Sequence, residues 1–146
     1  MKRMIAPLIG IGLLLLSGCA TGAPEEPLAT EVDDIIGTWH KTGSVYAFMG
    51  YIQFNADGTS RLGAAFDGVE VLAKVEGEFW FEGTELFWKD VSATAPAYEH
   101  CMQPGKETGR YEVQLLANGN LNVVMLEDAC PSRVACFTGA EWEPVS

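Results

Sequence analysis

Four cysteines and two histidines are among the side chains of this 146-residue chain with the chemistry to bind a metal or attack a substrate. The histidines are His40 and His100, and His100 directly precedes Cys101. Metal sites in proteins bring His and Cys ligands together at short, regular spacings. No two of these residues stand at i, i+2 or i, i+4. We therefore expect no metal site and no bound cofactor.

Nucleophilic catalysis needs a Ser or Cys beside a base that a third group orients. The sequence contains no Gly-x-Ser-x-Gly and no Cys-His motif. Its acidic residues are scattered over turns and outward strand positions, as is typical of a solvated surface. We expect a protein that is not an enzyme and has no catalytic residues.

The start of the chain combines positive charge with a short apolar run. Lys2 and Arg3 precede the apolar residues 5–16. A helix needs roughly 20 apolar residues to cross a bilayer, and this run is too short. It predicts a cleaved secretion signal rather than a permanent span.

The tetrapeptide LSGC at residues 16–19 closes this segment. It resembles the lipobox of bacterial lipoproteins, in which a cysteine accepts diacylglycerol before the preceding bond is cut. The resemblance implies a signal peptide over residues 1–18 and covalent diacylglycerol on Cys19. Because several acyl chains hold far more firmly than one, the mature chain would be anchored to a membrane.

The implied location is the cell envelope, outside the cytoplasm. Ala20 follows the cysteine, at the position where an Asp would resemble a signal for retention in the inner membrane. This favours the outer membrane in a diderm host, and otherwise the outer face of the cell membrane.

Residues 19–30 are small, proline-containing and acidic, a composition typical of a tether. We expect one domain over residues 31–146, long enough for a single core. Without Lys2 and Arg3 the chain has seven basic residues against 20 acidic ones, a net charge of about −13. Such a charge disfavours nucleic acid as a partner.

The apolar runs of the domain are short and alternating, which predicts β structure throughout. One hairpin turns at residues 56–58 and pairs Ile52 with Leu62. A second turns at residues 83–84 and pairs Phe79 with Trp88.

A third hairpin turns near Asn118-Gly119. Two-residue and three-residue loops place opposite faces of its second strand inside, and the sequence does not choose between them. A short helical turn over residues 131–137 precedes the last strand. Sequential hairpins without crossover helices predict an all-β, antiparallel, up-and-down barrel of about eight strands, because closure removes the exposed edges.

The residues Gly37-Thr38-Trp39 open the first strand. They resemble the Gly-x-Trp opening of lipocalins and lipocalin-like barrels. The resemblance implies that Trp39 closes one end of the barrel and that Arg133 lies across its indole. Asp128 is then expected to cap the turn that follows it or to pair with Arg133.

The second half of the chain narrows the resemblance. Cys101, Gly109-Arg110-Tyr111, the segment 127–133 and Trp142 follow one another. They resemble small bacterial lipocalin-like domains with a Cys…Gly-x-Tyr…Asp-x-Cys-x-x-Arg…Trp pattern. Such a family implies a fold more firmly than an activity.

Three cysteines remain once Cys19 carries lipid, so one of them stays unpaired. The positions alone allow Cys101–Cys130, Cys130–Cys136 and Cys101–Cys136. The resemblance selects the Cys101–Cys130 pair.

Two hypotheses for function follow. In the first, the lipocalin-like domain holds a small apolar ligand in a cavity lined by inward aromatic residues: Phe54, Phe79, Phe81, Trp88 and Tyr111. In the second, the barrel is solid and an outward pair, Trp80 and Phe87, meets another envelope protein.

Overall fold

The computed structural model describes residues 25–43 and 49–146, so the expectations for the signal peptide and for Cys19 lie outside the described residues. Eight antiparallel strands in sequence order form a closed barrel, which confirms the predicted all-β fold. The strands are β1 (Gly37–Lys41), β2 (Tyr51–Phe54), β3 (Thr59–Phe66), β4 (Val71–Glu82), β5 (Glu85–Ala93), β6 (Thr108–Leu115), β7 (Leu121–Glu127) and β8 (Trp142–Pro144).

In the described part of the chain, three short helical segments accompany the strands. A 3-10 helix, Val32–Asp34, precedes β1, and a second, Pro96–Met102, lies between β5 and β6. The α-helix α1 (Pro131–Phe137) lies between β7 and β8. Within the described ranges, no helix has the length and apolar character needed to span a membrane.

The first two hairpins form in the predicted registers. Ile52 pairs with Leu62, and Phe79 pairs with Trp88. Gly58 adopts a φ of 81°, which lets the three-residue turn close. Turn chemistry and alternation were therefore sufficient to fix sides and register here.

The third hairpin uses the three-residue loop. Leu116 N–H donates to Asn120 O at 2.9 Å, and Gly119 takes a φ of 86°. This register places Leu121 and Val123 inside the barrel. Both are apolar, so burial decides between the two registers that the turn residues left open.

The two ends of the barrel differ. The turns β2–β3, β4–β5 and β6–β7 are tight and lie with the helix Val32–Asp34 at one end, here called the base. The longer connections, which carry the helix Pro96–Met102 and α1, lie at the opposite end, here called the mouth. The mouth is therefore where irregular structure can build a site.

The predicted boundary between tether and domain at residue 31 is wrong. Ala29 is fully buried, and its N–H donates to Val113 O at 2.8 Å. Leu115 N–H donates to Pro27 O at 2.8 Å, and Leu28 bridges Gln114. The cause is that β5 begins too late to pair with the end of β6, which leaves an open edge. Residues 27–29 cover that edge, so the domain begins at about residue 27.

Candidate ligand-binding site

The barrel interior is filled by side chains. Phe54, Phe79, Trp88 and Tyr111 are buried, and Phe81 is half-buried against the same core. The space left among the interior side chains is about 10 Å³, room for about one water molecule. The expectation that these aromatic residues line a ligand cavity is therefore wrong, because they fill the space themselves.

Helix α1 completes this filling from the mouth. Phe137 packs edge-on against Trp88, with ring centroids 4.5 Å apart, and against Tyr111, at 5.3 Å. Trp142 Nε1 donates to Phe137 O at 3.0 Å. The last turn of α1 thus closes the interior below the mouth.

A larger cavity, of about 530 Å³, lies at the mouth, outside the filled interior. Its wall comes from β3, β4 and β5, from the helix Pro96–Met102 and from α1. The lining residues are Met49, Leu62, Val75, Asp90, Ala97, Tyr98, His100, Cys101, Ser132, Arg133 and Cys136. We call this space the mouth cavity.

Alternation along β5 brings a carboxylate to the floor of the mouth cavity. Leu86, Trp88 and Asp90 are all buried inward positions of this strand. Asp90 accepts hydrogen bonds from Trp88 Nε1 at 2.7 Å and from Arg133 Nη1 at 3.2 Å. Asp90 is not among the site residues predicted from the sequence, although the alternation of Leu86 and Trp88 indicates its inward direction.

Arg133 uses all of its hydrogen-bond donors within the protein. Nε and Nη2 bind the two carboxylate oxygens of Asp128 at 2.7 and 2.8 Å. Nη1 binds Asp90 and the carbonyl of Glu107, and Nη2 also binds the carbonyl of Lys106. A guanidinium has five N–H donors, so none remains for a ligand. Arg133 is a structural clamp in the wall.

Asp128 connects this clamp to the neighbouring strands. It caps the turn after β7 by accepting from Cys130 N–H at 2.7 Å, and the Tyr111 hydroxyl also donates to it. Burial and the neighbouring Asp128 raise the pKa of Tyr111. A Cβ atom at Gly109 would collide with the Asp128 carboxylate. Asp128 thus does both of the things expected of it, and Gly109 provides the space.

The expected stacking of Arg133 on Trp39 is wrong. Trp39 points to the base, where its Nε1 donates to Ile35 O at 2.9 Å. Among the described residues the cation–π contact is instead that of Lys41 Nζ, 5.7 Å from the Trp142 ring centre. Charge-assisted hydrogen bonds to two buried carboxylates are stronger than a cation–π contact, so they direct Arg133 to the mouth.

The Cys101–Cys130 disulfide is present, with Cα atoms 5.4 Å apart, as the resemblance implied. It ties the helix Pro96–Met102 to the start of α1 at the cavity wall. Cys136 is a free thiol in the same wall, and burial raises its pKa. The segments that form the mouth are therefore held together covalently.

His100 lies beside this disulfide. Its Nδ1 is 3.0 Å from Ala97 O, and its Nε2 contacts Ser132 Oγ. One nitrogen of His100 and the two sulfurs of the disulfide lie within 4.8 Å of one another. Metal ligation by cysteine needs thiolates, and here both sulfurs are bonded to each other.

Lys41 is a second buried cation, and it is not among the residues predicted from the sequence. Its Nζ donates to the carbonyls of Ala135, Cys136 and Thr138 at 2.7–2.9 Å, at the C-terminal end of α1. Burial lowers the pKa of Lys41. The alternation of β1, in which Trp39 and Lys41 share the inward face, is the signal that predicts this position.

Comparison of the chain with protein-family models, with curated proteins and with solved structures gives no significant match.

Proposed function

We propose that this protein is a lipid-anchored protein of the cell envelope whose barrel binds one small amphipathic molecule, without catalysis, in the mouth cavity. The observation that carries the binding role is the cavity itself. Its volume of about 530 Å³ falls within the range of roughly 300–1,000 Å³ that is typical of small-molecule sites.

The chemistry of the wall supports the same role. Met49, Leu62 and Val75 are buried apolar residues along one side. A few polar groups, among them Asp90 and Ser132, interrupt the apolar surface. Apolar walls with a small number of placed polar groups are characteristic of ligand pockets. Because the interior is filled, we assign the ligand to the mouth rather than to the centre of the barrel.

The disposition of the pattern residues supports the proposed kinship with small lipocalin-like domains. Tyr111, Asp128 and Arg133 form one hydrogen-bonded cluster, and Gly109 makes room for it. The disulfide borders the same cavity through Cys101. The pattern residues thus build one end of the barrel, as expected for a family whose members share a fold rather than an activity.

An interaction surface is the alternative role. The Trp80 and Phe87 rings stack on the outer face, with centroids 5.3 Å apart and planes 9° from parallel. Both residues are only half-exposed, since the two rings cover one another. Replacing both by Ser should abolish capture of an envelope protein partner under this alternative and leave ligand binding unchanged.

The binding role is tested with the neutral fluorescent probe N-phenyl-1-naphthylamine and two matched variants. Ala97 is exposed in the cavity wall, and Ala56 is exposed in a turn at the base. We expect one probe molecule to bind per protein. The affinity for the probe should fall about tenfold or more in Ala97→Trp and stay unchanged in Ala56→Trp. Equal binding by both variants, or no binding by the unaltered protein, would overturn the proposal.

A further inference from the structure

Asp90 gives the mouth cavity a chemical preference. We propose that its ligand is a cationic amphiphile, a primary amine on an apolar chain, with the ammonium group bound by Asp90. This inference rests on the proposed binding function and names the class of molecule that the site takes.

The carboxylate of Asp90 retains capacity to accept hydrogen bonds. About 5% of its side-chain surface is exposed, and the residue lines the cavity. A carboxylate has about four acceptor positions. Among the described residues, Trp88 Nε1 and Arg133 Nη1 are its side-chain donors. An ammonium group in the cavity can use the acceptor positions that remain.

The local charges favour a cation at this position. The single guanidinium of Arg133 is shared by two carboxylates, and it binds Asp128 through two contacts of 2.7 and 2.8 Å but Asp90 through one of 3.2 Å. The three groups together carry one excess negative charge when both acids are ionised. A buried charge that is incompletely paired is unfavourable, so a ligand cation would relieve this cost.

The electrostatics of Asp90 agree with incomplete pairing. Burial raises the pKa of Asp90, and the nearby Arg133 only partly opposes this effect. The other buried cation, Lys41, directs its Nζ to three carbonyls of α1 and is not in the cavity wall. Neither buried cation of the described chain therefore neutralises Asp90 fully.

The same wall is unsuited to an anionic ligand. Arg133, the cationic residue in it, has no N–H to donate. Both ring nitrogens of His100 lie against oxygens of Ala97 and Ser132. A ligand carboxylate would therefore meet Asp90 without a compensating donor from these two side chains.

Apolar surface beside Asp90 accounts for the rest of the ligand. Leu62 and Val75 come from the adjacent strands β3 and β4, and Met49 precedes β2. Burial of each methylene of a ligand chain against this wall is favourable. A chain along this wall therefore adds affinity, while the ammonium supplies selectivity.

The test compares three ligands with one tail: octylamine, octanol and octanoate, each below its micelle concentration. Displacement of N-phenyl-1-naphthylamine from the full-length protein gives the affinities. We expect octylamine to bind about tenfold or more tighter than octanol, and octanoate to bind most weakly. Equal affinities of amine and alcohol, or tighter binding of octanoate, would overturn the inference. A bound probe that none of the three displaces would also overturn the inference, whereas failure of the probe itself to bind would overturn the proposed function.

The variant Asp90→Asn removes the charge and keeps the size of the side chain. We expect octylamine to lose about tenfold in affinity and octanol to lose nothing, and retained octanol binding shows that the cavity is intact. The matched control is Glu99→Gln, which changes net charge equally at an exposed position of the helix Pro96–Met102. If Asp90→Asn does not fold, the ligand comparison in the unaltered protein still decides the inference.

Discussion

Asp128 binds the guanidinium of Arg133 through both carboxylate oxygens, and the two side chains are 0% and 1% exposed. The pair spans the junction between the end of β7 and the first turn of α1. It therefore fixes how α1 enters the mouth, and with it the positions of Ser132 and Cys136 in the cavity wall.

Replacing Arg133 by Met should destabilise the domain by about 3–5 kcal/mol, because it leaves two buried carboxylates without their cation. Urea unfolding measures the change. The control is Arg110→Met, whose pairs with Glu85 and Glu127 are partly exposed and should contribute about 1 kcal/mol or less. Similar losses in the two variants would show that the buried ion pairs of Arg133 contribute no more to stability than the partly exposed ones of Arg110.

Removing the disulfide by the double change Cys101→Ser, Cys130→Ser should cost about 3–4 kcal/mol, since the bond closes a loop with a sequence separation of 29. Cys136→Ser is the control and should cost far less. Peptide mapping without reduction should find Cys101 linked to Cys130. A dominant disulfide that contains Cys136 would contradict the assignment.

The stability difference between the unaltered protein and Asp90→Asn should depend on pH. Burial raises the pKa of Asp90 above 3.8, with Arg133 opposing and Asp128 adding to the shift. A raised folded-state pKa means that the contribution of Asp90 is full below the unfolded value and is lost as pH rises through the folded value. Asparagine does not titrate.

Urea unfolding between about pH 3 and pH 7 should therefore show the unaltered protein losing stability relative to Asp90→Asn as pH rises. If the unaltered protein instead gains stability relative to Asp90→Asn as pH rises, the attraction of Asp90 to Arg133 outweighs the effect of burial.

Because residues 27–29 pack against β6, substitutions at the neighbouring positions Ala29 and Thr30 should differ sharply in their effect on stability. Ala29 is fully buried and Thr30 is exposed. Ala29→Arg should destabilise the domain by about 1–3 kcal/mol through overpacking, whereas Thr30→Arg should have little effect. Thermal unfolding compares the two variants. Equal midpoints would mean that the segment contributes nothing to folding.

The proposed anchor predicts the fate of Cys19→Ala in the native host. The variant should remain an uncleaved precursor or lack acyl chains, because only the thiol can accept diacylglycerol. Mass spectrometry of the membrane fraction provides the measurement. A processed and lipid-modified N-terminus at another residue would refute the proposed anchor.

Local rules predicted the barrel well. Alternation together with a turn glycine was enough to pair Ile52 with Leu62 and Phe79 with Trp88. The Asn118-Gly119 hairpin stayed ambiguous because both loop lengths satisfy the turn. Only burial in the closed barrel separates them, and that is a property of the whole fold.

Long-range packing accounts for the remaining errors and omissions. The resemblance predicted Arg133 across Trp39, but the buried carboxylates of Asp128 and Asp90 bind its guanidinium instead. Ala29 was assigned to the tether because an open edge on β6 is visible only once β5 and β6 are paired. The mouth cavity depends on how two connecting segments pack, which no local pattern specifies.

The pairing of residues 27–29 with β6 near the base bears on how a lipid-anchored barrel would be oriented on its membrane. With lipid on Cys19, the tether between Cys19 and Pro27 is at most about 25 Å long, at roughly 3.3 Å per residue. Pro27, which pairs with the end of β6, lies at the end opposite the mouth cavity. The barrel would then stand on the bilayer with its opening turned outward, so that it collects its ligand from the surrounding aqueous compartment rather than from the lipid beneath it.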